Sequence, residues 1–394
     1  MTKTVIVGGG IIGVCVAYYL SKEEGMDVTI VENTEVACGA SGKAGGFLAK
    51  DWHATATESL GLLSFDLHKK LADEYNGQQR WQYRGLQSSN VLLKATNSTS
   101  DDVPKTNIVH DSEEPFRPRP APKGESNIDW ISKPSEDSSC IINQQLVSDG
   151  DTTAQLDPYL FTLSVLDEAV KNGVRVVKGS VMAYENNVVT LDDGEFIATD
   201  KLVLAAGPWT SNVFNHLFPK SPINLPIEAL PGYSLVLRPT SLPSAHAVFT
   251  TILGSDSVGM SGTPEMFSRP DGTFYVAGEN EGPDMPSSAR TIGEVALEQE
   301  HNWDKLLAAV HQLGPFFADA DVIKKQLCYR PITHRKRPII SSITGLIEKD
   351  VFVASGHGPW GISLAPGTGK VLSELIIHGK AISADIQSLS IENF

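Results

Sequence analysis

Cysteine is scarce in this chain: four in 394 residues, Cys15, Cys38, Cys140 and Cys328, with no C-x-x-C spacing. That pattern argues against a metal centre or a disulfide framework and makes a reducing compartment the default. Positive charge is also short, 32 basic against 47 acidic residues for a net charge of −15. Such a balance argues against nucleic acid or an anionic membrane as the main partner. Long apolar runs are missing. The uncharged stretch Thr4 to Leu20 is broken by three consecutive glycines, is short for a span, and is followed by no small-residue cleavage site. The C-terminal Ile391-Glu392-Asn393-Phe394 carries no retention or peroxisomal address. Asn97-Ser98-Thr99 matches a glycosylation acceptor, but with no secretory signal the match reads as chance. Together these absences predict a cytoplasmic protein with no integral membrane segment. A hydrophobic content of 41% over this length supplies core for two domains.

What is present is concentrated first in Thr4 to Glu32. Thr4-Val5-Ile6-Val7 reads as a strand, Gly8, Gly10 and Gly13 follow as G-x-G-x-x-G, and Ile11 to Leu20 reads as a helix. Val28 to Val31 is a second strand, and it ends on Glu32 with Asn33 beside it. The glycines serve a tight turn, close approach of backbone to a pyrophosphate, and close helix–strand packing. The helix start, at Ile11 and Ile12, offers free N–H groups and a partial positive charge to phosphates. Glu32, 19 residues after Gly13, is placed to accept hydrogen bonds from an adenosine ribose. The motif predicts dinucleotide binding and leaves NAD and FAD both open.

Further along, Gly39 to Phe47 packs four glycines among small residues, a loop whose backbone can approach a flat ligand. Lys43 is its one cation, suited to a phosphate or a flavin carbonyl. Thr57 to Tyr75 reads as a helix, and Trp81 to Leu93 as two strands about a turn. Residues 95–139 are rich in Ser, Pro and acids. They read as an irregular surface insertion, partly disordered or packed only by Phe116 and Trp130, and as a candidate surface for a protein partner. Asp157-Pro158 opens a helix that stops at Asn172-Gly173. Strand Val174 to Val177, a hairpin at Val188 to Leu191, and a buried strand entering Ala206-Gly207-Pro208-Trp209 follow. Pro222 to Gly282 has the texture of β-structure, and Ala289 to Gln312 reads as a helical run broken near His301.

The last segment repeats the strand-to-glycine-to-helix pattern: Val351 to Ala354, then Ser355-Gly356-His357-Gly358-Pro359-Trp360-Gly361-Ile362, then a helix from Ala365. Two anion-favouring helix ends, one near each end of the chain, suit a large extended cofactor.

These blocks resemble the D-amino-acid-oxidase-type family of FAD-dependent oxidoreductases, which includes glycine oxidase and monomeric sarcosine oxidase. The resemblance covers nearly the whole chain outside 95–139, through Val7 to Gly13 with Glu32, Gly39 to Phe47, Asp157 to Val181, Leu202 to Trp209, and Arg330 to Lys370. It implies an α/β protein, a Rossmann-like FAD-binding domain carrying an inserted α+β substrate domain built on an antiparallel sheet. The expected segments are 1–60, 151–214 and 322–394 for the FAD-binding domain, and 61–150 and 215–321 for the substrate domain.

By resemblance, the first block binds the ADP half of FAD, and Ser41, Gly42, Lys43, Gly45, Gly46 and Phe47 lie along the ribityl chain and flavin. Val181 meets the adenine; Ala206, Gly207 and Trp209 form the turn beside the cofactor. Gly358, Pro359, Trp360, Gly361, Ile362 and Ser363 face the flavin pyrimidine ring, where a positive helix end stabilises the anionic reduced form. Arg330 matches the arginine that pairs with a substrate carboxylate, a task its planar fork suits, against a structural role holding loop carbonyls or the flavin. His357 reads as a shaper of the loop rather than a base.

Three departures mark this chain. His334-Arg335-Lys336-Arg337 sets a basic run at the site or its rim. Trp360 stands where sarcosine oxidases carry the lysine that promotes reaction with oxygen, which leaves oxidase and dehydrogenase both open. Cys328 has the spacing of a covalent flavin cysteine, yet relatives with an arginine like Arg330 hold FAD non-covalently. The implied function is oxidation of the C–N bond of an amino acid or N-substituted amino acid by hydride transfer to flavin, with oxygen or another electron acceptor. The rivals are an NAD-linked dehydrogenase and a flavin-binding protein of low turnover acting in interaction or trafficking through 95–139.

Overall fold

Strand β1 (Thr2–Val7), helix α1 (Ile11–Ser21) and strand β2 (Met26–Glu32) form the unit that the glycine spacing predicts. A computed structural model describes residues 1–94, 121–134, 140–253, 263–297, 300–347 and 350–394. Val5 and Ile6 of β1 are buried, as β-branched residues in the middle of a sheet covered on both faces should be. The six-stranded sheet runs Ile339–Ser342, Val351–Ser355, Lys201–Leu204, β1, β2, Arg175–Lys178. Its pairings are parallel except Ile339–Ser342 on Val351–Ser355. From β1 the chain goes to β2 on one side, and it later returns to Lys201–Leu204 on the other. The order therefore reverses at β1 and opens a crevice at the carboxyl ends of these strands.

Helix Gly361–His378 crosses α1 so closely that a Cβ on Gly369 would lie 2.6 Å from the Cys15 carbonyl carbon. This helix contains Pro366, which cannot donate to the carbonyl of Ile362 one turn back. The helix Thr55–Glu74 supplies the missing donors. His68 Nε2 lies 2.9 Å from the Ile362 oxygen, the Ser64 hydroxyl donates to the Ser363 oxygen at 2.7 Å, and Gly367 N donates to Ser64 Oγ at 3.0 Å. The proline thus ties the start of one helix to the flank of another, and that start borders the site described below.

A second sheet of eight strands runs Asp321–Ile332, Glu228–Arg238, Phe274–Glu279, Glu265–Ser268, His246–Leu253, Gln87–Lys94, Ile141–Ser148, Gly124–Glu125. Trp303, Leu306 and Val310 of helix His301–His311 share a buried cluster with Tyr233, Leu235 and Val276 of this sheet. Phe249, Phe267 and Tyr275 belong instead to the core shared with α1 and Phe47.

The sheet differs from the sequence expectation in two respects. It is mixed, because His246–Leu253 and Gln87–Lys94 pair in parallel. Asp321–Ile332, expected with the FAD-binding segments, pairs along its length with Glu228–Arg238. The family resemblance set this strand in the segment 322–394, but the long register with Glu228–Arg238 decides membership. Short strands also escaped the hydrophobic pattern: Phe47–Ala49 pairs with Thr153–Gln155, and Val181–Glu185 adds a third strand to the expected hairpin of Val188–Leu191 and Phe196–Ala198. Helix Pro158–Lys171 follows its signals closely, with Asp157 Oδ1 accepting from Leu160 N at 2.9 Å.

Within the 95–139 segment, Ile128, Trp130 and Ile131 are buried, with Trp130 against Phe274 at 4.8 Å. Phe116 and the Asn97 acceptor lie outside the described residues. Among the described residues no helix is long and apolar enough to cross a membrane. Nor does any group of three or more His, Cys, Asp or Glu stand ready to hold a metal ion among them.

Candidate active site

One continuous cavity runs from the crevice beside β1 to the face of the eight-stranded sheet. Its first end is made mostly of backbone. Gly8, with φ of +114°, comes so near the neighbouring strand that a Cβ would sit 2.4 Å from the Ala205 oxygen. Gly8, Gly10, Ile11 and Ile12 line the cavity. Gly13 does not; a Cβ there would lie 2.1 Å from the Gly8 oxygen, so its task is helix–strand packing. Ser41 Oγ accepts from Ile11 N at 2.9 Å and lines the same end. Glu32 accepts from Gly9 N and Thr34 N, both at 2.8 Å, one on each carboxylate oxygen. Each oxygen keeps a second lone pair for a hydroxyl group. Asn33, Ala206, Gly207 and Val181 also line this end.

The middle is lined by Gly45, Gly46, Phe47 and Trp209. Trp209 Nε1 donates to the Pro286 oxygen at 2.8 Å, joining the turn after Lys201–Leu204 to the segment that follows the second sheet's strand Phe274–Glu279. The Gly207 oxygen accepts from Thr210 Oγ1 at 2.7 Å and Ser355 Oγ at 2.8 Å, which locks two glycine turns together.

At the far end, Arg330, Cys328, Gly232, Tyr275 and Asn280 meet His357, Gly358, Pro359, Gly361 and Ile362 in the same lining. One Arg330 terminal nitrogen donates to the Pro231 oxygen at 3.1 Å and to Asn280 Oδ1. Arg330 Nε is buried and finds no acceptor among the described residues. His357 Nε2 lies 3.1 Å from Thr368 Oγ1, and burial pushes its pKa down to about 3. Its imidazole is therefore neutral at ordinary pH, suited to shaping the loop and poor at taking a proton. Burial pushes the Tyr275 phenol up to about 12, and it donates to the Lys43 oxygen at 3.1 Å. The Cys328 thiol is pushed up by burial as well, so it stays protonated and is a weak nucleophile.

Four expected site residues besides Gly13 stand off the cavity. Lys43 Nζ donates to the Leu327 oxygen at 2.9 Å, and burial pushes its pKa down. The expected phosphate or flavin cation instead ties its loop to the strand carrying Arg330. A Cβ on Gly42 would lie 2.3 Å from the Ala37 oxygen, which makes this a packing glycine. Trp360 turns its indole into the core, 4.5 Å from the His53 ring, and away from a catalytic position. Ser363 Oγ accepts from Ala49 N at 3.4 Å. Sequence reading missed Tyr275 and Gly232, which sit on strands whose only local signal is apolar alternation, and Asn280, which lies just past the end of one.

The glycine cradle, the helix start at Ile11, the carboxylate of Glu32 and the second glycine turn at Gly358 all border one channel. That arrangement fits FAD laid out along it.

A family model described as DAO, FAD dependent oxidoreductase, matches residues 3–375. A Schizosaccharomyces pombe protein named as an oxidoreductase, C1F5.03c, is 32% identical, covering 98% of this chain and 97% of its own. Glycine oxidase from Geobacillus kaustophilus superposes with a TM-score of 0.72 at 18% identity, over 99% of each chain. Iminodiacetate oxidase from Chelativorans sp. BNC1 gives 0.71 at 18% identity, over 98% of each.

Proposed function

The chain belongs to the DAO family of FAD-dependent oxidoreductases, and on that premise we propose that it oxidises the C–N bond of an amino acid or N-substituted amino acid. The observation that carries this reading is Arg330: a guanidinium in the wall of the cofactor cavity, steadied on one nitrogen and with a buried Nε still free to donate. A carboxylate is the natural partner for such a group, and holding it orients the carbon that loses hydride. The two solved structures named above take their names from glycine and iminodiacetate, both amines bearing a carboxylate.

FAD, when bound, supplies the two-electron acceptor for that hydride. The protein's own groups do the rest. Glu32 and the α1 start would hold the dinucleotide end of FAD. Gly358, Pro359, Gly361 and Ile362 would border its far end, and none of them carries a side-chain acid or base. His357, neutral, keeps the turn in shape. The substrate amine sheds its proton to solvent before reaction, and the imine product hydrolyses in water. Trp360 is buried in the core, so no side chain at that position offers a charge to oxygen.

The test is an anaerobic panel of amines, amino acids and N-methyl amino acids, read by bleaching of the bound flavin band. Amino acids and their N-alkyl derivatives should bleach it, and amines lacking the carboxylate should not. Readmitting oxygen then separates oxidase from dehydrogenase by the rate of recovery. A panel that leaves the band unchanged overturns the reading and favours a flavin protein of low turnover.

A further inference from the structure

We propose that Glu279 and Asn280 are positioning residues for Arg330, and through it for the substrate carboxylate. The inference rests on the reading of Arg330 as the carboxylate anchor. Glu279 ends the strand Phe274–Glu279 and is completely buried. It faces Lys305 of helix His301–His311, with Oε2 and Nζ 3.5 Å apart. A buried ion pair is poor evidence of stability, since well-packed apolar side chains often serve as well or better. Its retention here has a geometric use. Glu279 Oε1 accepts from the backbone N–H of Asn280 at 3.0 Å and of Glu281 at 2.9 Å. Asn302 Nδ2 holds the Glu281 oxygen from the helix side at 3.0 Å. Together these contacts fix the bend after the strand.

That bend sets Asn280 in the cavity wall, where its Oδ1 accepts from Arg330. The Pro231 oxygen takes the same guanidinium nitrogen at 3.1 Å. Both hydrogens of that nitrogen are then engaged in orientation, which leaves Nε–H and the second terminal nitrogen for a ligand. Gly232 completes the seat: a Cβ there would lie 3.1 Å from Arg330 Nε. A carboxylate buried behind the sheet therefore governs, through one backbone bend and one amide, which edge of the guanidinium faces the cavity.

The experiment uses the FAD-loaded protein titrated with small monocarboxylates, acetate to butyrate, read by perturbation of the flavin absorption band. Arg330→Ala serves as the reference. Asn280→Ala and Glu279→Leu should each weaken carboxylate binding about tenfold or more while FAD content is unchanged. Glu279→Gln keeps an oxygen for the two N–H groups and should stay within about threefold of the parent. The double variant should bind no worse than the weaker single one, since both act along one path. Should Glu279→Leu fail to keep FAD, Asn280→Ala and Glu279→Gln decide the matter. Parent-like binding by Asn280→Ala or Glu279→Leu, with binding lost in Arg330→Ala, overturns the positioning role alone. Parent-like binding by Arg330→Ala, or none by the parent, overturns the anchor reading beneath it.

Discussion

The two ends of the cavity are built in opposite ways. The dinucleotide end is drawn largely from one stretch of chain and presents mostly backbone: Gly8, Gly10 and the start of α1, with the Glu32 carboxylate of β2, joined by Ser41, Val181, Ala206 and Gly207 from elsewhere. At the far end, opposite the glycine turn at Gly358, strands Glu228–Arg238, Phe274–Glu279 and Asp321–Ile332 and the bend at Asn280 present side chains held by contacts distant in sequence. A backbone cradle recognises a group common to many enzymes. A side-chain wall can change from one relative to the next without disturbing the cofactor. On the proposed reading, specificity belongs at Arg330 and Asn280, and cofactor retention at Gly8 to Glu32.

The sharpest way to break this contrast is at Gly13. Gly13→Val puts a side chain where even a Cβ would lie 2.1 Å from the Gly8 oxygen. Helix and strand must part, so the variant should lose FAD and most of its soluble yield, read by the flavin-to-protein absorbance ratio. Next, Arg330→Ala should weaken carboxylate substrates about 100-fold, as expected for loss of a charge-assisted pair, while FAD affinity stays within about threefold. Equal loss of both in a flavin titration would merge the two ends into one. Glu32→Ala should do the reverse, with FAD affinity falling about tenfold and substrate binding by the reconstituted protein unchanged.

A smaller effect tests the proline-bearing helix between the ends. Burial pushes the His68 pKa down to about 4 from its ordinary 6.5. Between these values the unfolded chain binds a proton that the folded chain refuses, so stability is full above pH 6.5 and is lost as pH falls toward 4. The contribution is up to about 3 kcal/mol. His68→Asn should flatten the fall of Tm across that window, and an unchanged slope would place the acid sensitivity elsewhere. Smallest of all, Lys43→Met should leave FAD affinity within about threefold, because Lys43 Nζ serves the Leu327 oxygen. A large loss would restore it to the cofactor.

Much of the dinucleotide end was legible in the sequence because its parts are local. The spacing of Gly8, Gly10 and Gly13, the helix that follows and the acid closing β2 all lie within one strand–helix–strand unit, where sequence distance and spatial distance agree. Arg330 was reached only by resemblance to a family, and its neighbours Asn280 and Gly232 were not reached at all. Nothing local marks them, since their roles come from registers between strands about 50 and 100 residues away in sequence. The expected roles of Lys43 and Trp360 failed for a related reason. Residue type and position in a loop do not say which way a side chain turns, and here packing sent one to the Leu327 oxygen and the other to the His53 ring.

By itself, then, the sequence carried a dinucleotide motif, because backbone geometry at glycines and helix starts is encoded within a few residues, and through its resemblance to a family it reached the family and FAD. Only the tertiary structure decided what the far end presents. There the eight-stranded sheet brings Glu279, Asn280, Gly232 and Arg330 together, and hydrogen bonds between segments distant in sequence, not local propensity, set the direction of the Arg330 guanidinium in the cavity wall.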